Sequence, residues 1–413
     1  MKQWLLDRTG DDLKNINFID FMDDFTSYGV DSLIETKEFG LWERILQFLK
    51  SNSAGLGDLD RVAILNCVGY LANLRGDYKS AFINYEDSIR QLAKISPDWV
   101  DYFMKLSQNK DSQPVLPQVY GGLAGKSFYD YLYLLGDVYY RKARISIRTR
   151  KPDADTAIFF AIEIFDFLYN TDDPDFLKSE QFKKIKQYRI ELYNGVALLN
   201  RYKKDFPVAI RYARQSIKMR LYFDNPAKEK IYDIMIEWAD FQCTTRTAAY
   251  FNTLGQIFLG IGRQENNTEE EPIRTAIRCF EISMEIKLRI DARNPALPES
   301  YNNLGKAYEL LIPLVKGADA GIKKEQLFKK SKEFHDKALN FKLLAYYPNK
   351  MRLAITYKNL GGLYRIMSEY SKSLTYYEMA VGVRLELFDE DSEQVQEIRQ
   401  LIEEVTKEME NTK

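Results

Sequence analysis

The chain has 413 residues, and its 59 basic and 60 acidic side chains leave a net charge of −1. This balance gives no bulk attraction to nucleic acid or to an anionic membrane surface. Since 45% of the residues are hydrophobic, the chain can bury a substantial core, as two or three domains or as one extended repeat array.

The amino-terminal region predicts a short helical cap. The opening MKQWLLDRTGDD reaches Asp7 before any long apolar run, which is unlike a secretory signal. Two apolar-periodic segments follow, NFIDFMDDF (17–25) and LWERILQFLK (41–50), and each predicts a helix. We assign residues 1–56 to this cap.

A helical hairpin is predicted around Gly69. Apolar residues stand four and one positions before this glycine and three after it, which is the period of one helix face. A second helix follows, in which Tyr85 stands between the small residues Ala81 and Ser88. The small residues leave room for the first helix, and the ring fills the gap between the two.

The same pattern recurs at five further glycines, which are Gly136, Gly195, Gly255, Gly305 and Gly361. The last two lie in the octets YNNLGKAY (301–308) and YKNLGGLY (357–364), which agree at Tyr, Asn, Leu, Gly and Tyr. The second helices are predicted from small and bulky residues, namely Ala157, Ala161 and Ile164 after Gly136, Phe206, Ala209, Ala213 and Ser216 after Gly195, Ala276, Phe280 and Ser283 after Gly255, Ser331, His335 and Ala338 after Gly305, and Ser373, Tyr377 and Ala380 after Gly361.

About six such hairpins tile residues 57–390, and a recurring supersecondary unit of this kind predicts a repeat fold. Both ends of a stacked array need a cap, because an end repeat otherwise exposes an apolar face. Residues 391–413 supply the carboxyl-terminal cap, with one apolar stripe of Val395, Ile398, Ile402, Val405 and Met409 on a predicted helix.

The glycine-centred octets resemble the first helix of the tetratricopeptide repeat (TPR), whose signature is W-x2-L-G-x2-Y, then A-x3-F, then P. The segments MRLYFDNP, KLRIDARNP and RLELFDEDS, which follow second helices, resemble the longer repeats of kinesin light chain proteins. The resemblance implies an all-α fold, a right-handed superhelical α-solenoid. It also implies that the first helices line a concave groove in which ligands bind.

The resemblance places polar residues beside each packing glycine in that groove. The expected binding residues are Asn252, Gln256, Asn302, Asn303, Lys306, Lys358, Asn359 and Arg365. An Asn amide can pair with both N–H and C=O of an extended peptide, and Lys or Arg can hold a carboxylate. Asn303 and Asn359 stand at the same position, two residues before their glycines, and are the sharpest candidates.

The middle of the chain is basic. Residues 120–230 contain 21 Lys and Arg against 14 Asp and Glu, or +7, so the remainder carries −8. The candidates for a basic patch within residues 139–220 are Arg141, Arg144, Arg148, Arg211, Arg214 and Lys218. A solvated helical face and a surface for an acidic partner or a phosphate backbone are both compatible with this pattern.

No residue pattern predicts catalysis. The single histidine, His335, stands where other hairpins place Tyr85, Phe280 and Tyr377, so we expect a packed ring without a metal. No P-loop or dinucleotide-binding motif occurs.

The cysteines predict neither disulfides nor a metal site. Cys67, Cys243 and Cys279 lie far apart, without CxxC spacing, and Cys67 and Cys279 are expected to be structural thiols. So sparse a set is typical of a reducing compartment, which favours a cytoplasmic protein. We expect no catalytic residues, no cofactor and no metal.

Two functions follow from these observations. The first is a non-catalytic scaffold that binds a peptide or partner protein, including an acidic one, in the concave groove. The second is a regulatory or assembly subunit of a nucleic-acid-processing or defence complex that uses the basic residues of 139–220. An enzyme with an unrecognised active site is the least favoured reading, and no membrane partner is expected.

Overall fold

The computed structural model describes residues 16–27, 39–75, 77–108, 117, 126–226, 233–264, 269–344, 350–386 and 389–411. Across these ranges the regular elements are helices, and no strand occurs. The predicted all-α fold is therefore confirmed. The opening MKQWLLDRTGDD lies outside the described residues.

The chain forms two compact units, residues 1–199 and residues 200–413, and each is described by itself. The helices of the first unit are α1 (Phe18–Ser27), α2 (Phe39–Ser51), α3 (Asp58–Arg75), α4 (Tyr78–Ile95), α5 (Pro97–Gln108), α6 (Lys126–Arg148), α7 (Ala154–Tyr169), α8 (Pro174–Leu177) and α9 (Glu180–Tyr202), whose last turn passes into the second unit.

The second unit continues with α10 (Phe206–Asp224), α11 (Ile234–Glu237), α12 (Thr245–Gly262), α13 (Glu271–Ile290), α14 (Leu297–Leu311), α15 (Ala320–Leu343), α16 (Lys350–Ile366), α17 (Tyr370–Leu385) and α18 (Glu393–Asn411). Here α12/α13, α14/α15 and α16/α17 are consecutive hairpins, and each second helix also packs on the first helix of the next hairpin. This is the stacking of an α-solenoid. The right-handed sense of the superhelix stays a prediction.

Five hairpins are closed by one contact, a ring of the second helix seated on a glycine of the first. A Cβ atom added at the glycine would lie 2.5 or 2.6 Å from the ring, so only glycine allows this approach. The pairs are Gly69 with Tyr85, Gly136 with Phe165, Gly255 with Phe280, Gly305 with His335, and Gly361 with Tyr377. The residue pattern that recurs in the octets therefore reflects a recurring contact between two helices, and the helical-repeat fold is confirmed.

Two details of the predicted repeats are wrong. After Gly136 the packed ring is Phe165, so the second-helix pattern there is shifted by one helical turn from the predicted Ala157, Ala161 and Ile164. At Gly195 an added Cβ would meet Ile158 of α7 at 2.8 Å, and no ring of the following helix. This glycine accommodates the helix that precedes it, so it is not equivalent to the other five.

The serines of the second helices do more than leave space. Ser331 Oγ donates to the Gly305 carbonyl and Ser373 Oγ to the Gly361 carbonyl, both at 2.8 Å, and both serines are fully buried. Each bond satisfies a buried hydroxyl at the point where the helices approach most closely. Glycine and serine thus act together in these two hairpins.

The carboxyl-terminal helix α18 buries its predicted apolar stripe. Val395, Ile398 and Val405 are buried, and Ile398 and Val405 pack with Tyr377 and Ala380 of α17. The opposite side of α18 carries Glu side chains, and its role as a cap stays a prediction.

Candidate interaction surfaces

The first helices of the second unit are joined by side-chain pairs that run from one helix to the next. Arg201, in the last turn of α9, donates to Gln256 of α12 at 2.5 Å. Asn303 Nδ2 of α14 donates to Asn252 Oδ1 of α12 at 2.7 Å. Lys358 of α16 pairs with Glu397 of α18. We call this row of polar residues the first-helix face.

The amides predicted to bind a ligand fall in different environments. Asn252 and Asn303 meet directly, and Asn252 Nδ2 also donates to Glu299 at 3.1 Å. Asn302 is buried, with its Oδ1 3.2 Å from His335 Nδ1 and its Nδ2 donating to Thr356 Oγ1 at 3.0 Å. Asn302 therefore belongs to the interior between two hairpins and not to the first-helix face.

Asn359 is the most accessible of the predicted amides. It is half-buried on α16, and within the described part of the chain its side chain has no hydrogen-bond partner. Its repeat equivalent Asn303 is also half-buried, but Asn303 is held by Asn252. A ligand could therefore bind the Asn359 amide directly, whereas it would have to displace Asn252 to bind the Asn303 amide.

The predicted cations of this face are held by acidic residues that the sequence analysis did not single out. Arg365 contacts Glu404 at 2.9 Å and Glu408 at 2.5 Å, and Lys306 contacts Glu309 at 2.6 Å. The hydrogen bond from Arg365 lowers the pKa of Glu408. Glu404 and Glu408 lie on a neighbouring helix, and Glu309 lies one turn from Lys306. The partners on the neighbouring helix depend on how the helices are aligned in the stack, which the sequence alone does not give.

In the first unit, the predicted basic residues of α6 are largely neutralised. Arg141 is buried, and its Nε donates to Asp137 Oδ2 at 2.6 Å, so it contributes no surface charge. Arg144 lies 3.6 Å from Glu191, and Arg148 Nη1 donates to the Tyr78 hydroxyl at 3.1 Å. Arg144 and Arg148 are nevertheless exposed, so burial removes only Arg141 from the predicted patch.

In the second unit, the three predicted cations of α10 have no acidic partner among the described residues, whereas Arg220 of the same helix pairs with Asp224. Arg211 and Arg214 are exposed and Lys218 is half-buried on this helix, and none of the three forms an ion pair with another described residue. Arg278 of α13 is likewise exposed and without an ion pair among the described residues. Arg214 and Arg278 both act on the Cys279 thiol, opposing the rise in its pKa to about 12 that burial causes.

The histidine and the cysteines of the chain are buried or half-buried in the helical packing. His335 is fully buried, as predicted, and burial together with Lys306 and Lys342 lowers its pKa to about 3. Burial raises the pKa of the Cys243 thiol to about 11, and Cys67 is fully buried. Among the residues that the structure covers, no group of three or more His, Cys, Asp or Glu side chains could hold a metal ion.

Each second helix of the three carboxyl-terminal hairpins ends in a buried cation that the sequence analysis missed. Lys287 Nζ donates to the Ala296 carbonyl at 3.1 Å and to Ser300 Oγ at 2.8 Å. Lys342 Nζ donates to the Arg352 carbonyl at 2.9 Å and to Thr356 Oγ1 at 2.5 Å.

The third cation, Arg384, donates to the Gln394 carbonyl and contacts Glu397 at 3.0 Å. Each cation stands seven residues after the ring residue of its helix, and Leu follows each one. That spacing is the signal that could have revealed them. We call Lys287, Lys342 and Arg384 the junction cations.

No family model matches the chain, and no curated protein sequence matches it. Among solved structures, it is similar to one titled "Crystal structure of BtubC (BKLC) from P. vanneervenii", at 15% sequence identity and a TM-score of 0.44, covering 75% of this chain and 94% of that chain. In the described residues, no helix is long and apolar enough to cross a membrane.

Proposed function

We propose that the chain is a non-catalytic interaction protein whose first-helix face binds an extended segment of a partner protein. The supporting observation is the row of amide and charged side chains that crosses four neighbouring helices, α12, α14, α16 and α18. Asn359 offers an amide that has no partner among the described residues, and Asn303 offers a second one that must first leave the buried Asn252. Such amides can satisfy both polar groups of a peptide bond.

The paired cations of the face favour a ligand with carboxylates. Arg365 and Lys358 are partly exposed, with 25% and 30% of their side chains accessible, and their acidic partners are more exposed still. Exposed pairs of this kind contribute about 0–1 kcal/mol each. A ligand carboxylate can therefore replace Glu404 or Glu397 at little cost and gain the charge-assisted hydrogen bond.

The test begins with capture of a partner from native extract and its identification by mass spectrometry. The partner is then titrated against the wild type, the double variant Asn303→Ala/Asn359→Ala and the control Asn340→Ala, which changes an exposed residue of α15. Loss of hydrogen bonds worth about 0.5–1.5 kcal/mol each should weaken binding about tenfold in the double variant only. Equal affinity of all three proteins would contradict the proposal.

A second candidate function rests on the free cations of α10. Arg211, Arg214, Lys218 and Arg278 could hold a phosphate backbone or an acidic protein, as a subunit of a nucleic-acid-processing complex would require. Binding through these residues should fall steeply with salt, because counterions are released from the polyanion. Titration of a labelled single-stranded oligonucleotide at two salt concentrations, with Arg211→Glu/Arg214→Glu as the variant, tests it. Salt-independent or absent binding would exclude this function.

A further inference from the structure

The helix α18 stands where the first helix of another hairpin would stand. The junction cation Arg384 reaches the Gln394 carbonyl and Glu397 of α18, just as Lys342 reaches Arg352 and Thr356 at the start of α16. Thr356 precedes Gly361 by five residues, and Glu397 precedes Ile402 by five. Ile402 therefore occupies the glycine position of α18.

In the two preceding hairpins, a second helix covers the glycine position. The His335 ring of α15 lies on Gly305 of α14, and the Tyr377 ring of α17 lies on Gly361 of α16. Beside Ile402, a groove of about 420 Å³ lies between α17 and α18, lined by Glu378, Val381, Gly382, Leu385, Arg399, Ile402 and Glu403.

Gly382, in the lining of the groove, leaves room for the backbone of another helix to approach α17 closely. A Cβ atom added there would meet nothing within 4 Å, and the residue lies inside α17 without a positive φ. Glycine inside a helix costs about 1 kcal/mol relative to alanine, and neither the packing of the described residues nor the local backbone geometry requires it. A helix docked against Gly382 would use the space that the missing side chain leaves.

The charges of the groove identify the class of helix. Glu378 and Glu403 are exposed, and Arg399 is held by Glu390. Helix α18 carries six Glu against one Arg and one Lys, or −4, so α18 of a second copy would be repelled. The aliphatic lining of Val381, Leu385 and Ile402 requires an apolar stripe on the incoming helix.

We infer that this groove binds one amphipathic α-helix of a partner protein, with aliphatic residues on one face and basic residues along its edges. Helices commonly bind in this way, through apolar anchors spaced along one face. Because Ile402 stands where the other first helices have glycine, the incoming helix cannot seat a ring as the repeats do. The groove is separate from the first-helix face, so either proposal can fail without the other.

A segment of the chain itself provides a probe. Residues 320–343, the sequence of α15, form an amphipathic second helix with seven Lys against three acidic residues, or +4. A fluorescein-labelled peptide of this sequence is titrated against the full-length protein by anisotropy at 0.15 M salt. We expect saturable binding that Gly382→Leu weakens at least tenfold, because the new side chain fills the groove.

Two controls make the result specific. Gly321→Leu places the same side chain at another helical glycine where an added Cβ meets nothing within 4 Å, and it should leave binding unchanged. A peptide with its lysines replaced by Glu should not bind.

Four results would overturn the inference. They are absence of saturable binding to the wild type, unchanged binding to Gly382→Leu, equal binding of the acidic peptide, and a wild-type dimer that Gly382→Leu converts to monomers in sedimentation. The last result would show that a second copy occupies the groove.

Discussion

The hairpins α14/α15 and α16/α17 contain the two octets, and their comparison separates what the repeat fixes from what it leaves free. In both, a ring rests on a glycine, and a buried serine donates to that glycine's carbonyl at 2.8 Å. In both, a junction cation ends the second helix. The ring is His335 in one and Tyr377 in the other, and the cation is Lys342 in one and Arg384 in the other.

The two hairpins therefore share their contact geometry, but their buried side chains differ in pKa. His335 and Lys342 both have a pKa lowered by burial, to about 3 and about 8. Burial raises the pKa of Tyr377 to about 12, so this ring stays neutral across the neutral pH range. The α14/α15 hairpin should therefore respond to pH where its neighbour does not.

The shared glycine contact should give the largest effect. Gly305→Leu and Gly361→Leu each force a side chain into a ring that lies 2.6 Å from an added Cβ, so each should lower the free energy of unfolding by about 3 kcal/mol or more. Urea denaturation measures both. Gly382→Leu, which meets open space, should be neutral or stabilising by up to about 1 kcal/mol. Unequal losses in the two hairpins would break the comparison.

Acid should weaken the α14/α15 hairpin through His335. The folded pKa of about 3 lies below the unfolded value of 6.5, so the unfolded chain binds the proton first and stability falls as the pH drops below 6.5. Between pH 6.5 and 5 the loss should be about 1.5 kcal/mol. His335→Phe, which introduces the ring that Phe280 supplies in the α12/α13 hairpin, should remove it.

The measurement is the difference in unfolding free energy between wild type and His335→Phe at pH 7, 6 and 5. The carboxylates are the same in both proteins, so their titration cancels in that difference. Because the chain has a single histidine, the remaining pH dependence belongs to His335. The variant also leaves Asn302 Oδ1 without its donor, which lowers stability at every pH and leaves the slope unaffected. Parallel curves would contradict the prediction.

Alkali should act on Lys342 in the opposite direction. Its folded pKa of about 8 lies below the unfolded 10.5, so the unfolded chain holds more protons between these values and stability rises with pH in that window. From pH 8 to 9 the wild type should gain about 1 kcal/mol relative to Lys342→Met. The difference in unfolding free energy between wild type and Arg384→Met should be the same at pH 8 and pH 9. Thermal melts of the three proteins at both pH values measure these differences.

The smallest effect separates the two equivalent amides. Asn303→Ala removes the 2.7 Å bond to Asn252 and should cost about 1 kcal/mol of unfolding free energy. Asn359→Ala removes no hydrogen bond within the described chain and should be neutral or stabilising by about 0.5 kcal/mol, because Ala favours helix. Matching melting temperatures for the two variants would show that the amides are equivalent after all.

The sequence predicts those features that lie within one hairpin. The spacing of glycine, ring and small residue was sufficient to predict the hairpins and the burial of His335, because all three act through a local 3.6-residue period. It misplaced the second-helix pattern after Gly136 by one helical turn, and it failed at Gly195, where the close neighbour is Ile158 of an earlier helix. A pattern read forward along the chain cannot reveal a contact made backward.

The candidate surface was less predictable for the same reason. Whether Asn302 or Asn303 faces outward depends on the offset between stacked first helices, which decides that Thr356 meets one and Asn252 the other. Arg141 looked like surface charge, although Asp137 precedes it by one helical turn. Its burial follows from packing within the first unit, which no local spacing encodes.

The junction cations also set how such an array can be counted. Each cation lies in one hairpin and its acceptors lie in the next, as with Lys342 and the Arg352 carbonyl. A whole number of hairpins would therefore leave its last cation buried without an acceptor, a costly arrangement. Helix α18 supplies the acceptors for Arg384. Counted by these bonds, each hairpin is completed only by the helix that follows it, so the unit that should fold cooperatively is a hairpin and a half.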